Sequence, residues 1–361
     1  MNDPIARLIL QKDDKEYIGH LFGAPVSSSG EVVFNTSMTG YTESLTDPSY
    51  KGQLLVYTYP IIGNYGIPNI GKNISDFSES ENIHINGLII SDYSHHPYHW
   101  NMRYSLSYWL KKNGVPGIYG IDTRALTKKI REEGTMLGKI IINHDIPFYD
   151  PNQENLASKV CINEKTIYGH GKYKVLLVDL GVKNNILRCL LNRNCQIIRV
   201  PWSSDFSKED DYDGILLSNG PGNPKTYHKV IKHVEYALKD NRPIFGICLG
   251  NQLIGLAAGV NTFKLKYGHR GYNQPVLLEG TSKAYITSQN HGYVLDVQIL
   301  PPNWKILFQN INDGSCEGLI HENKPFFSVQ FHPEASGGPI DTEFLFDWFI
   351  ECMHSSNKLY R

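Results

Sequence analysis

No stretch of this 361-residue sequence supplies the roughly 18 consecutive apolar residues that a membrane span requires. The opening residues, MNDPIARLILQKDDKEY, place charges inside their one short apolar run and lack the basic start and apolar core of a signal peptide, which argues for a cytoplasmic chain. Cysteine is sparse. The six cysteines, at 161, 189, 195, 248, 316 and 352, include no CxxC pair, so neither a disulfide framework nor a zinc knuckle is indicated. Neither sign of charge dominates: 35 Lys and Arg against 36 Asp and Glu give a formal charge of −1. No global field attracts nucleic acid or anionic lipid, and neither is expected as a partner. The Gly-x-x-x-x-Gly-Lys-Ser/Thr loop that cradles nucleotide phosphates is also missing, as are long internal repeats and low-complexity tracts.

The length fits about two domains, and 41% hydrophobic residues can fill two ordinary cores. Up to residue 150, short β-branched or alternating runs (RLIL, EVVFNTS, QLLVYTY, INGLIISDY) separated by Gly, Pro, Asn and Asp predict a β-rich domain. Two helices are expected within it. RYSLSYWLKKNG places Leu106, Trp109 and Leu110 on one face and Gly114 at its end, and DTRALTKKIREEG has Asp122 or Thr123 to cap its start and Gly134 to close it. Residues 151–171 are rich in polar and turn residues and read as a linker. From 172 to 361 the compact apolar runs YKVLLVDLG, CQIIRV, DYDGILLSNGPG, RPIFGIC and PFFSVQFHPE appear. Helical stretches KNNILRCLLNRN, TYHKVIKHVEYALKD and LGNQLIGLAAG follow three of them. That alternation predicts a doubly wound, mostly parallel α/β sheet, in which ligands sit outside the carboxyl ends of the strands.

Three breaks after those strands carry chemistry. A lone cysteine among Ile, Leu and Gly is more often a small core residue than a nucleophile. Cys248, however, stands between strand PIFGI and helix LGNQLIGLAAG, with Gly246 and Gly250 permitting a sharp elbow. A helix start there favours an anionic sulfur, the reactive form. In QFHPE, Pro333 disfavours helix at His332. If the chain stays extended, His332 and Glu334 project to one side, the first to meet the cysteine and the second to steady the imidazole; the plain alternative is a surface turn. In SNGPGNP, Gly220 and Gly222 make a tight turn, or else let bare N–H groups there and at Leu249 approach an oxyanion. A metal site would want three or four convergent ligands. The histidines of SHHPYH, at 94–99, show no ligand spacing, so no metal is expected.

GICLGNQ, SNGPGNP and QFHPE, in this order, resemble the class I glutamine amidotransferase domain over roughly residues 172–355. GEVVFNTSMTGYTESLTDPSYKGQLLVYTYPIIGNYG and GIDTRALTKKIREEGTMLGKI are similar to the N-terminal domain of carbamoyl-phosphate synthetase small subunits. The resemblance implies a Cys248–His332–Glu334 triad that releases ammonia from L-glutamine. It implies glutamine contacts at Ser37, Gly220, Gly222, Leu249, Gln252, Asn290, Gly292 and Tyr293, with Ser37 coming from the other domain. It also implies a large synthetase subunit as partner, holding ATP and metal and making carbamoyl phosphate for arginine and pyrimidine synthesis, and no cofactor in this chain. Asn251 departs from the family's usual histidine, and Arg270, Tyr272 and Gln274 from its usual His, small or variable residue, and His. Those departures bear on elbow positioning and coupling to the partner. The other readings are a glutaminase serving a different synthetase, against which the N-terminal extension speaks, and a non-catalytic amidotransferase-like subunit, against which the intact Cys, His and Glu speak.

Overall fold

A computed structural model describes residues 3–13, 15–69, 74 and 78–354, with the backbone alone for Ser207. The chain divides into two compact units, Met1–Gln153 and Glu154–Arg361. Among the described residues no helix is long and apolar enough to cross a membrane.

The first unit contains β1 (Ile5–Leu10), β2 (Glu16–Leu21), β3 (Ser28–Asn35), β4 (Gln53–Tyr57), β5 (Ile61–Ile62), β6 (Gly87–Ile89), β7 (Asp92–Tyr93), β8 (Gly117–Tyr119) and β9 (Met136–Ile141). Its helices are α1 (Tyr41–Thr46), α2 (Leu106–Lys112) and α3 (Thr123–Glu133). Seven strands close a barrel in the order β1-β2-β8-β6-β4-β3-β9, and β5 pairs with β7 apart from it. Closure leaves no exposed strand edge in that sheet. Alternation in β1 turns Ala6, Leu8 and Leu10 inward, as a half-buried strand requires. Both expected helices form with their expected ends. The Ser105 side chain accepts from the Tyr108 N–H at the start of α2, Asp122 accepts from Ala125 N–H at the start of α3, and Gly134 closes α3 at φ +94°.

The second unit contains β10 (Thr166–Tyr168), β11 (Tyr173–Asp179), β12 (Cys195–Pro201), β13 (Gly214–Leu217), β14 (Ile244–Ile247), β15 (Asn261–Leu278), β16 (Ala284–Asp296), β17 (Trp304–Asn310), β18 (Cys316–His321) and β19 (Phe326–Val329). Its helices are α4 (Asn184–Leu191), α5 (His228–Ala237), α6 (Leu249–Ala258) and α7 (Phe344–His354). One sheet runs β10-β12-β11-β13-β14-β19-β18-β17-β15-β16. Its centre, β12-β11-β13-β14-β19, is parallel throughout. Both faces are covered, which is why these strands read as unbroken apolar runs. Leu176, Val178, Leu217 and Leu253 pack in one buried cluster. Elsewhere, Phe245 stacks on Phe327 at 4.4 Å and Phe327 on Trp348 of α7 at 4.7 Å.

The α/β reading of this unit holds, but the sheet is mixed: β18, β17, β15 and β16 extend it in antiparallel fashion. The stretch 151–171 is also more than a connector. Leu156 and Ala157 are buried, Ala157 within the second unit's core, and β10 pairs antiparallel with β12 at the sheet edge. A three-residue strand is too short to show a period.

Candidate active site

Cys248 occupies the single residue between β14 and α6, with φ 55° and ψ −102°. A non-glycine side chain reaches this backbone region only under constraint, and the constraint is visible on both sides. Cys248 N–H donates to Val329 O at 2.8 Å, and Gly250 N–H donates to Ser218 O at 3.1 Å. A Cβ on Gly250 would lie 2.2 Å from the Leu217 carbonyl oxygen, and one on Gly246 would lie 2.8 Å from the Gly250 carbonyl. The elbow therefore fits only with glycine at both places. It delivers Sγ beyond the carboxyl ends of the parallel strands, 3.8 Å from Asn290 O and 3.7 Å from Gln330 Nε2, which donates to it. Among the described residues no acceptor takes the N–H of Leu249 or Gly220, and a Cβ on Gly220 would meet the Leu249 side chain at 2.8 Å.

β19 ends at Val329, and the chain is not extended through Glu334 as expected. Ala335 N–H donates to His332 O at 3.1 Å, closing a turn over Pro333 that Ala335 continues at φ 54°. The expected pairing survives the different backbone. The His332 backbone N–H is tied to Ser288 O at 2.9 Å, and its Nδ1 lies 2.7 Å from Glu334 Oε1, so Nδ1 carries the proton and the carboxylate accepts. His332 Nε2 is buried with no hydrogen bond of ordinary geometry, and Cys248 lies near enough to act on the charge of this imidazole.

Sequence reasoning missed Lys183, which lies beyond the carboxyl end of β11. Its Nζ donates to Glu334 Oε1 at 2.9 Å and to Ala335 O at 2.7 Å, and Asn185 Nδ2 donates to the Glu334 carbonyl. Burial disfavours the imidazolium of His332. The Glu334 carboxylate and the Cys248 sulfur together outweigh that effect and an opposing Lys183, and the group rises to about 10. Burial likewise disfavours the Glu334 carboxylate, but Lys183 first and His332 second hold it at about 2.

These shifts predict a pH window for stability. Relative to unfolded values of about 6.5 for His and about 4.3 for Glu, the His332 contribution is complete below about 6.5 and lost as pH rises toward 10. The Glu334 contribution is complete above about 4.3 and lost as pH falls toward 2. Urea unfolding should therefore show wild-type stability declining between pH 7 and 10, with a shallower decline in His332→Gln. Parallel declines would contradict the assignment.

A buried amide web supports the elbow from below. Asn251 Nδ2 donates to Gln330 Oε1 at 3.1 Å, Ser328 Oγ donates to Asn251 Oδ1 at 2.8 Å, and Gln252 Nε2 donates to Gln330 Oε1 at 3.1 Å and Tyr293 O at 2.8 Å. The Asn251 departure is thus an amide bonded through both its nitrogen and its oxygen, and Gln330 links it to the sulfur. No spacing signal marks Lys183 or Gln330; the rule that ligands gather at strand ends is the one that could have singled them out.

Of the remaining expected contacts, Asn290, Gly292 and Tyr293 lie on β16, with Asn290 and Tyr293 reaching the elbow as described. Gly292 has Arg270 as its neighbour, 3.3 Å from a would-be Cβ. Gly222 adopts φ +85° beside Leu156. Ser37 belongs to the first unit, just past β3, where its N–H donates to Asn35 Oδ1 at 2.8 Å. Of the other departures, Arg270 Nη1 donates to Tyr267 O, Tyr272 lies against Gly337 and Gly338, and the Gln274 carbonyl accepts from Thr287 Oγ1.

Two family models match the chain: "Glutamine amidotransferase class-I" over residues 176–352 and "Carbamoyl-phosphate synthase small chain, CPSase domain" over residues 8–140. Among curated relatives, the multifunctional protein pyr-3 of Neurospora crassa is 46% identical over 95% of this chain and 21% of its own length. The multifunctional protein CAD of Squalus acanthias is 48% identical over 94% and 16%, respectively. The human mitochondrial carbamoyl-phosphate synthase (ammonia) is 49% identical over 96% and 23%. The chain thus spans about a fifth of the length of these relatives.

Proposed function

The chain belongs to the carbamoyl-phosphate synthase small-chain family and carries a class-I glutamine amidotransferase domain; on that premise we propose that it hydrolyses L-glutamine and supplies the ammonia to a synthetase part. That part makes carbamoyl phosphate from bicarbonate and ATP, for arginine or pyrimidine synthesis. The observation that carries the reading is a buried cysteine on a constrained elbow, close to an imidazole held by a buried carboxylate. In the relatives the matched region is one portion of a longer polypeptide. The separate large subunit expected from the sequence is therefore better stated as a synthetase partner, in the same chain or another, and it holds the ATP and metal.

In this mechanism the Cys248 thiolate attacks the side-chain carboxamide of glutamine, and the N–H groups of Leu249 and Gly220 receive the oxyanion. His332, as imidazolium, gives its proton to the departing nitrogen, which leaves as ammonia. The neutral imidazole then takes a proton from water, the hydroxide attacks the γ-glutamyl thioester, and glutamate leaves as the thiolate is restored. Hydrolysis draws on no cofactor. Ser37, Gln252, Asn290, Gly292 and Tyr293 are the proposed glutamine contacts, with Gly222 completing the glycine turn.

The test supplies amide-¹⁵N glutamine to the chain with its synthetase partner, bicarbonate and ATP, against an excess of unlabelled ammonium. Carbamoyl phosphate should carry the label in excess of the mixed ammonia pool, and added hydroxylamine should trap γ-glutamyl hydroxamate. Product labelled only to the level of the pool would refute transfer, and intact glutamine would refute hydrolysis.

A further inference from the structure

Beneath the β15–β16 hairpin lies a second cluster of buried titratable groups. His269 on β15 and His291 on β16 are direct register partners, with ring centroids 4.9 Å apart at 84°, and Glu317 of β18 faces both. We propose that His269 Nδ1, His291 Nε2 and the Glu317 carboxylate form a binding site for a divalent transition cation, zinc above all.

The geometry suits such an ion. One ligand atom from each residue lies within 4.8 Å of the other two. His269 Nδ1 is 3.4 Å from Glu317 Oε1, and His291 Nε2 is 3.9 Å from it. Tetrahedral zinc, with bonds of about 2.0 to 2.2 Å, sets its ligands roughly 3.3 to 3.5 Å apart. The first distance already matches, and the second needs only a small side-chain adjustment. Two of the atoms concerned are otherwise costly to bury: His269 Nδ1 and Glu317 Oε2 have no hydrogen-bond partner, in residues 8% and 0% exposed.

The surroundings fix which nitrogens are available. His269 Nε2 sits 2.8 Å from Asp313 Oδ2, and His291 Nδ1 sits 3.2 Å from Tyr293 O. Each of those oxygens accepts an N–H, which leaves the lone pair of His269 Nδ1 turned toward Glu317; His291 Nε2 faces Gln289 Oε1 as well as Glu317, so an ion there would replace an N–H···O bond to the amide oxygen. An imidazole oriented by an oxygen acceptor on its other nitrogen is the usual outer shell of a metal ligand. Gln289 Oε1, 3.1 Å from His291 Nε2, supplies a further oxygen. Two nitrogens with oxygens suit zinc better than the hard cations, and Glu317 with Asp313 offsets its charge against Arg270, the nearby guanidinium that opposes a cation here. The rival occupant is a proton, making His269 an imidazolium between two carboxylates. Because His291 is flanked by Asn290 and Gly292, an ion would tie that segment of β16 to β18.

The test uses the full chain as Cys248→Ser, so that the elbow thiol cannot capture metal, stripped with a chelator and dialysed. Elemental analysis after zinc addition should give one zinc per chain, and cobalt(II) should give the intense visible bands of a tetrahedral site. Melting temperature should rise with added zinc. His269→Asn and Glu317→Gln should lose both signals, and Asp313→Asn should weaken binding by about ten- to a hundredfold. Glu317→Gln, close in shape to the original, serves if His269→Asn fails to fold. Absence of stoichiometric metal in the parent protein, or equal binding in the Glu317→Gln variant, would assign the cluster to the proton and overturn the proposal.

Discussion

With serine at position 248, the assembled enzyme should make carbamoyl phosphate from ammonium salts as before and lose its ability to make it from glutamine. The substitution changes one atom at the end of a side chain whose backbone is held by Val329 O and whose neighbours are Gln330 and Asn290, so packing is nearly unaltered. What changes is nucleophilicity: a hydroxyl does not form the anion that a thiol forms beside an imidazole. Removing a nucleophile from a coupled group of residues typically costs most of what removing the whole group costs. A fall of at least about 10³-fold in glutamine-dependent turnover is expected, equal to about 4 kcal/mol of transition-state stabilisation. Glutamine binding, measured calorimetrically, should persist, since the proposed contacts are untouched. Full retention of glutamine use would remove Cys248 from the chemistry, while loss of ammonium-dependent synthesis as well would mean the substitution acts through the fold.

Legibility in the sequence followed the range of the interactions. The parallel centre of the second unit was readable because strands covered on both faces are continuous apolar runs, and because α4, α5 and α6 each begin soon after one. The elbow was readable because its requirements are local: a strand, two glycines and a helix within a few residues. The antiparallel wing was not, since β15 mixes buried and exposed positions irregularly over its 18 residues and breaks register twice against β16. His332 and Glu334 were paired correctly for a reason that was half right. The chain turns at Pro333 instead of staying extended, yet the turn still brings the carboxylate to Nδ1. Lys183 and Gln330 stayed hidden because their importance comes entirely from partners far along the chain, and no residue type or spacing announces such a partner.

Lys183 also sets the second large effect. It and Glu334 are an ion pair with side chains 6% and 0% exposed, and His332 meets the same carboxylate oxygen. When the proposed thiolate forms, Lys183 and His332 balance Glu334 and Cys248 charge for charge inside a buried site. Lys183→Met leaves a comparable volume but strips one cation, so two anions face a single imidazolium and the Ala335 carbonyl loses its donor. Breaking a buried pair from one side costs about 3 to 5 kcal/mol, because the remaining charge is uncompensated. Urea unfolding at pH 7 should show a loss of that size, and glutamine hydrolysis should fall by about 10²-fold as the carboxylate and the ring it positions shift. Adding Glu334→Gln removes the stranded charge. The double variant should therefore be more stable than Lys183→Met alone, a coupling of the kind a double-mutant cycle isolates. If the two losses simply add, Lys183 acts on this site by packing and not by charge, and the balance of two cations against two anions fails as the account of how the imidazolium and thiolate coexist.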